Sequence, residues 1–324
     1  MKSLVLVFAA LGGWLVATAA CAQGYPSRSI TLIVPFTAGG PTDTVARTVA
    51  TSMQKRLRQA VIIENVGGAG GTIGAARVAS AVPDGYTILL HHIGMATAPA
   101  LYPNLSFDPQ QSFEIIGEVT DVPMTVVARP DFPARTLKAF LKYLKSRKQI
   151  VTYAHAGQGS ASHLCGLLFM SAIQGDVKTV GYKGTGPAMN DLLDSRVDLM
   201  CDQTTNTTPQ IRSAKVIAFG VTTARRVASL PDVPSLQEQG LKGFEVTVWH
   251  ALYAPHGTPA EALDKLNDAL RFALVDTAVK ARFNDLGTEP VPLDKATPAY
   301  ARAHLQAEVK KWAPVIEKAR KYAD

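Results

Sequence analysis

From residue 30 onward, short β-branched and aliphatic runs alternate with stretches in which apolar residues return every three or four positions. That alternation marks parallel strands linked by helices. Residues 30–35 read as a strand. After Gly39-Gly40-Pro41, the residues Val45, Val49, Met53 and Leu57 recur every four positions, as one buried helical face does. Residues 61–64 give a second strand. A glycine-rich turn over 67–71 leads into a helix around 73–81, and Pro83-Asp84-Gly85 turns the chain into a strand over 86–91.

A second unit of the same kind begins with a strand over 122–128. Leu137, Phe140, Leu141 and Leu144 mark a helix capped by Thr136, and 150–154 is the next strand. A helix over 161–174, a strand over 177–182, a helix over 187–195 and strands over 197–201 and 216–221 follow. The extended run 244–253 carries the chain back, and the remainder from Pro259 reads as almost wholly helical. The order implies an α/β protein of two lobes, 23–124 with 250–324 and 125–249. Two hinge strands near 118–126 and 246–254 join them.

The N-terminal segment differs from everything after it. Lys2 precedes an apolar run from 4 to 20 interrupted only by Gly12, Gly13 and Thr18, and Ala20-Cys21-Ala22 offers small residues where a leader peptidase cuts. Residues 1–22 are thus expected to be a cleaved signal peptide that sends the mature chain to the periplasm. A lipoprotein would be cut before Cys21, but such proteins carry a bulky aliphatic residue where Thr18 stands. No later stretch holds the roughly 18 continuous apolar residues of a membrane helix. The formal net charge is +7, with Lys and Arg scattered, which fits a solvated surface favouring anions and excludes a nucleic-acid footprint. Cys165 and Cys201 would remain after cleavage; an oxidising compartment permits one disulfide between them, and two buried thiols are equally consistent with their apolar surroundings.

The candidate chemistry lies in loops that follow strands. Phe36, Ala38, Gly39, Gly40, Pro41, Thr42 and Asp43 in the first unit are echoed by Gly184-Thr185-Gly186-Pro187 in the second, each pairing glycines with a proline at a helix start. Such starts expose unpaired N–H groups and a partial positive charge, and so hold an anion without a basic side chain. Gly157, Ser160, Ala161 and Ser162 form a third corner with hydroxyl donors, and the polar run 202–208, opened by Asp202, is a fourth. Asp43, third in its helix, reads either as a capping carboxylate or as a ligand contact, and Asp202 either as a cap or as an acceptor for a ligand amine or hydroxyl.

Several enzymatic patterns are absent. Gly68, Gly70 and Gly74 have the wrong spacing for a dinucleotide fingerprint, and there is neither a phosphate loop nor a nucleophile elbow. His91 and His92, adjacent on a strand, should face opposite sides and not chelate together. Ser162 and His163 are helix neighbours that do not face each other, which weighs against a hydrolase built on Ser160 or Ser162 with His163. No cofactor or metal is expected.

These residues resemble a known family. Tyr25-Pro26-Ser27-Arg28-Ser29-Ile30, the run Pro35-Phe36-Thr37-Ala38-Gly39-Gly40-Pro41-Thr42-Asp43 with Arg47, Pro83-Asp84-Gly85-Tyr86-Thr87, Tyr182-Lys183-Gly184, Leu230-Pro231-Asp232-Val233-Pro234 and Ala254-Pro255 before Gly257-Thr258-Pro259 are similar to motifs of the Bug family, the extracytoplasmic receptors of tripartite tricarboxylate transporters. The resemblance implies a type II periplasmic-binding-protein fold whose lobes close by hinge motion. It also implies a small carboxylate ligand held by main-chain amides and hydroxyls, and membrane permease subunits as partners of a monomeric receptor. The ligand shell it implies comprises Phe36, Ala38, Gly39, Gly40, Thr42, Asp43, His92, Gly157, Ser160, Ala161, Ser162, Thr185 and Asp202. His91-His92 depart from the family, which carries small residues there. A sensory receptor presenting its ligand to a membrane kinase would need the same pocket.

Overall fold

In the computed structural model, residues 24–146, 150–175 and 177–319 are described; the leader expected at 1–22 lies outside them. The first half opens with strand β1 (Ile30–Val34), helix α1 (Pro41–Leu57), β2 (Val61–Asn65), a 3-10 turn (Ala69–Gly71), α2 (Thr72–Ala79), β3 (Thr87–His92) and α3 (Gly94–Leu101). The long strand β4 (Phe113–Ala128) leads into α4 (Leu137–Lys145), β5 (Thr152–His155), α5 (Ala161–Ile173), β6 (Lys178–Gly181), α6 (Thr185–Leu193), β7 (Leu199–Gln203), α7 (Thr204–Arg212) and β8 (Ile217–Val221). Strand β9 (Thr247–Pro255) returns to the first half, and α8 (Ala260–Val275), α9 (Thr277–Asp285) and α10 (Pro298–Ala319) complete the order.

The strands run β2-β1-β3-β9-β4-β7-β5-β6, with β8 also on β4. The division into lobes lies within β4. Its first part pairs antiparallel with β9, from Phe113 opposite Pro255 to Pro123 opposite Thr247. Its last five residues pair with β7 and β8 instead. The lobes therefore share two antiparallel crossing strands, in agreement with the two-hinge type II periplasmic-binding-protein fold.

Local sequence explains most of these elements. Val45, Val49 and Met53 of α1 are fully buried, the face their spacing predicts. In β1 every residue but Thr31 is buried, as in a parallel strand covered on both sides. Thr136 caps α4, its Oγ accepting from Ala139 N at 3.2 Å. A disulfide joins Cys165 of α5 to Cys201 of β7, which settles the open question in favour of the bridge.

Five points of the sequence reading need correction or completion. Strand β4 begins at Phe113 and not at 122, because Gly117, Glu118, Thr120 and Asp121 break its apolar run while β9 still supplies a ladder. Residues 94–101 form a helix. The run after Asp202 is no loop: Asp202 and Gln203 end β7, and Thr204 starts α7. Helix α6 begins at Thr185, so Pro187 stands third and not first. Beyond Pro259, residues 286–297 are non-helical and carry a β-bridge from Pro290 to Thr120.

Candidate functional site

Four helices, α1, α5, α6 and α7, begin directly after strands β1, β5, β6 and β7, and their N-termini converge where the lobes meet. The crevice between them is lined by Phe36, Pro41, Thr42 and His92 from the first lobe and by Ala156, Ser160, Ala161, Ser162, Thr185, Asp202 and Gln203 from the second. This is the strand C-terminal position at which open α/β sheets place ligands. No Lys or Arg reaches the lining. Positive potential there comes from backbone N–H groups that a first helical turn leaves without intrahelical partners.

At α1, Gly40 caps without a side-chain bond and Pro41 takes the first position. Asp43 is committed elsewhere: its Oδ2 accepts Gly39 N at 3.0 Å and Arg47 Nε at 2.8 Å, and its Oδ1 accepts Asn65 Nδ2 at 3.0 Å. Burial pushes this carboxyl up, but the bonds from Arg47, Gly39 and Asn65 outweigh it and hold it below the usual range. The capping role is the one the structure shows, and Asp43 does not line the crevice.

Ala38, Gly39, Gly40 and Gly157 are not in the lining either. They lie where the lobes touch backbone to backbone: a Cβ on Gly186 would sit 3.4 Å from both Ala38 O and Gly40 N, and one on Gly157 would press Gly70 N at 2.8 Å. Across the same seam Tyr102 OH donates to Gln158 O at 2.6 Å and Thr97 Oγ1 to Gly159 O at 3.1 Å. The crevice is thus described in its closed form.

At α5, Ser160 Oγ accepts His163 N at 3.2 Å, Ser162 Oγ accepts Ala156 N at 2.9 Å, and the two hydroxyls lie 3.1 Å apart. His163 Nδ1 accepts Gly159 N at 3.3 Å. The serines therefore shape the corner, and the imidazole orients the loop through Gly159 N.

His91 and His92 do not part to opposite sides as strand alternation would require. Their rings lie 4.9 Å apart, with His92 N donating to His91 Nδ1 at 2.7 Å and Gly94 N to His92 Nδ1 at 2.9 Å. His92 stacks on Phe36 at 4.7 Å and meets His250 at 5.7 Å. Burial drives all three imidazoles toward the neutral form, His91 and His250 down to about 3. They form an uncharged aromatic wall, and no metal-binding group of His, Cys, Asp or Glu occurs among the described residues.

In the second lobe, Asp202 is 1% exposed and its carboxyl is pushed up to about 6 by burial, against bonds from Asn206, Gln203 N and Thr185. Beside it Gln203 Oε1 is buried and accepts no hydrogen bond among the described residues. Two of the threonines that follow serve the fold: Thr204 Oγ1 donates to Gly287 O and Thr208 Oγ1 to Leu286 O.

Of the residues singled out in the sequence, the crevice gathers Phe36, Thr42, His92, Ser160, Ala161, Ser162, Thr185 and Asp202. Pro41, Ala156 and Gln203 were missed. In the sequence Pro41 marks only a helix start, and Gln203 sits in a polar run whose pleat is set by pairing with β4.

Residues 45–320 match the model of the tripartite tricarboxylate transporter family receptor. The chain is similar to the solved periplasmic binding protein BugD, at 50% identity and a TM-score of 0.89 over 91% of this chain and 98% of that one. It is similar to MatC from Rhodopseudomonas palustris with bound malate, at 40% identity and 0.87 over 90% and 100%. A third similar structure, Rpa4515 of R. palustris with adipate, shares 30% identity and gives 0.86 over 91% and 98%.

Proposed function

This chain belongs to the tripartite tricarboxylate transporter receptor family, whose members are periplasmic solute-binding proteins of the Bug type and not enzymes, and on that premise we propose that it captures a small carboxylate and delivers it to the membrane permease of such a transporter. The observation that carries the reading is the convergence of four helix N-termini on a crevice lined by no Lys or Arg. Aligned peptide dipoles and free N–H groups hold a carboxylate there as they hold other anions. The dicarboxylates malate and adipate in two similar structures support the same class of ligand.

In this reading residues 1–22 direct export, the mature monomer works in the periplasm, and the lobes comprise 23–124 with 250–324 and 125–249. Ligand bound between them favours the closed form, and closure is what the permease reads. Phe36, Thr42, His92, Ser160, Ala161, Ser162, Thr185 and Asp202 form the ligand shell, with Pro41, Ala156 and Gln203 added to it.

A thermal-shift screen over organic acids and amino acids tests this directly. A true ligand at 100 times its Kd adds about 2.7 kcal/mol of stability. Response to sugars or cations with none to carboxylates would overturn it.

A further inference from the structure

Beyond residue 22 the excess positive charge lies in one lobe. Residues 125–249 hold 15 Lys and Arg against 9 Asp and Glu, whereas 23–124 with 250–324 hold 17 against 17. No Asp or Glu occurs from Pro133 to Gly175, a stretch with six basic residues. Within it, α4 turns Leu137 and Phe140 inward, and Phe140 stacks on Phe169 and Phe219. Lys138, Lys142 and Lys145, four and three positions apart, share the exposed side, and Arg135 is exposed just ahead of the Thr136 cap. None of these residues lines the crevice.

The fold leaves this charge unanswered. Arg129, Arg196, Arg212 and Arg226 of the same lobe are paired with carboxylates, but Arg135, Lys138, Lys142 and Lys145 form no ion pair among the described residues. Helix stability accounts for only part of the stripe. Lys142 and Lys145 stand in the last turn, opposite the negative end of the helix dipole. Lys138 stands second in the helix and Arg135 ahead of it, where the dipole disfavours a cation. The three lysines lie within about 10 Å along the axis, about one Debye length at 0.1 M salt, so a charged surface meets them as one patch.

The stripe on α4 is lysine throughout, and that selects the partner. Interfaces between folded proteins enrich arginine, whose fork fits carboxylates, and deplete lysine. A layer of phosphate headgroups asks only for mobile positive charge. Ile150, five residues beyond Lys145 and 77% exposed, is the most exposed large apolar side chain among the described residues and suits the headgroup boundary. We propose that the outer face of α4 docks the second lobe on an anionic phospholipid membrane, with Lys138, Lys142 and Lys145 against the headgroup phosphates. This contact holds the receptor at the surface where a permease sits, whichever ligand the crevice takes.

Sedimentation of the mature protein with two kinds of vesicle tests this, phosphatidylcholine alone and phosphatidylcholine with phosphatidylglycerol in equal parts. Only the anionic vesicles should carry the protein down, and raising the salt from about 0.05 M to about 0.5 M should release it as the screening length falls. Each Lys near such a surface contributes roughly fivefold in affinity, so the triple variant Lys138→Gln, Lys142→Gln, Lys145→Gln should bind about 100-fold more weakly. Glutamine keeps the helix, and its unfolding midpoint should match that of the wild type. The triple variant Lys265→Gln, Lys280→Gln, Lys310→Gln removes the same charge from exposed sites of the first lobe and should bind as the wild type does. Equal sedimentation of the wild type with neutral and anionic vesicles would overturn the proposal without any variant. Equal losses in the two triple variants would overturn it too, since net charge alone would then be at work. No sedimentation with either vesicle, but carboxylate uptake lost in the α4 variant, would assign the stripe to an acidic protein face and overturn it likewise.

Discussion

The phenol of Tyr102, just past the end of α3 in the first lobe, donates to the carbonyl oxygen of Gln158 in the second at 2.6 Å. This bond spans the seam beside the crevice, so it forms on closing and is lost on opening. A ligand that binds the closed form draws on it. Tyr102→Phe should therefore weaken ligand binding by about fivefold, the worth of one net hydrogen bond near 1 kcal/mol. The unfolding midpoint of the free protein should not change. Titration of variant and wild type with the same carboxylate checks this, and equal affinities would mean that the bond does not distinguish the two forms.

Gly70 approaches the same carbonyl from the 3-10 turn, at φ +62°. A Cβ there would overlap Gln158 O, which belongs to backbone and cannot yield as a flexible side chain would. Gly70→Ala should hold the lobes apart and lower affinity by about 100-fold or more, because the binding-competent form becomes rare. The left-handed conformation adds a local cost of about 1–2 kcal/mol, so the unfolding midpoint should drop by only a few degrees. Small-angle scattering with saturating ligand should report an expanded molecule where the wild type compacts.

What could be read in the sequence follows physical locality. The buried face of α1 was legible because Val45, Val49 and Met53 obey a period set by the helix itself. The Ser160 corner was legible because a strand, glycines and a capping serine are neighbours in the chain. Helix α7 was not, since its threonines are weak helix formers held by partners far away in sequence, Gly287 and Leu286 among them. The first part of β4 failed for the same reason. Its Thr120 and Asp121 look like loop residues until Thr288, Glu289 and Thr247 satisfy them. The contact between the rings of His91 and His92 goes with the bond from His92 N to His91 Nδ1, which no periodicity records.

The bridge from Cys165 to Cys201 closes a separation of 36 residues and pins α5 to β7, the two elements that carry Ser160 and Asp202 to the crevice. By loop-closure entropy it should contribute about 4 kcal/mol. The Cys165→Ala, Cys201→Ala double variant should unfold on the order of 10 °C lower than the wild type. Calorimetry with and without reductant measures the loss. A wild-type midpoint that full reduction does not move would show that the bridge adds nothing.

Acid should unfold this protein from the histidine wall. His91, His92 and His250 are neutral when folded, their values depressed by burial, whereas in the unfolded chain they take protons near the ordinary histidine value. The unfolded state thus binds more protons below about pH 6.5, and stability present above that pH is lost as pH falls. Three such groups give a slope of about 4 kcal/mol per pH unit, which Asp202 reduces by about 1.4 while it takes its proton in the folded state first. Urea midpoints between pH 7.5 and 4.5 should fall steeply, and a profile flat to pH 5 would contradict the buried, neutral assignment.

Asp202 carries the opposite sign. Its carboxyl titrates at about 6 when folded, raised by burial from the ordinary 3.8, so its contribution favours the folded state below pH 4 and is lost as pH rises through 6. At pH 7 the charged form costs the ligand-free protein on the order of 3 kcal/mol. Asp202→Asn keeps an oxygen for Asn206 Nδ2 and removes the charge. The variant should be more stable than the wild type at pH 7, and the difference should shrink through pH 6 and vanish near pH 4. Denaturation series on both proteins without ligand give the answer, and a variant less stable at pH 7 would show that the surrounding amides and the N-terminus of α7 already compensate the carboxylate. A gain on removal would mark Asp202 as a residue kept at a cost to stability, as the ligand-shell role proposed for it requires.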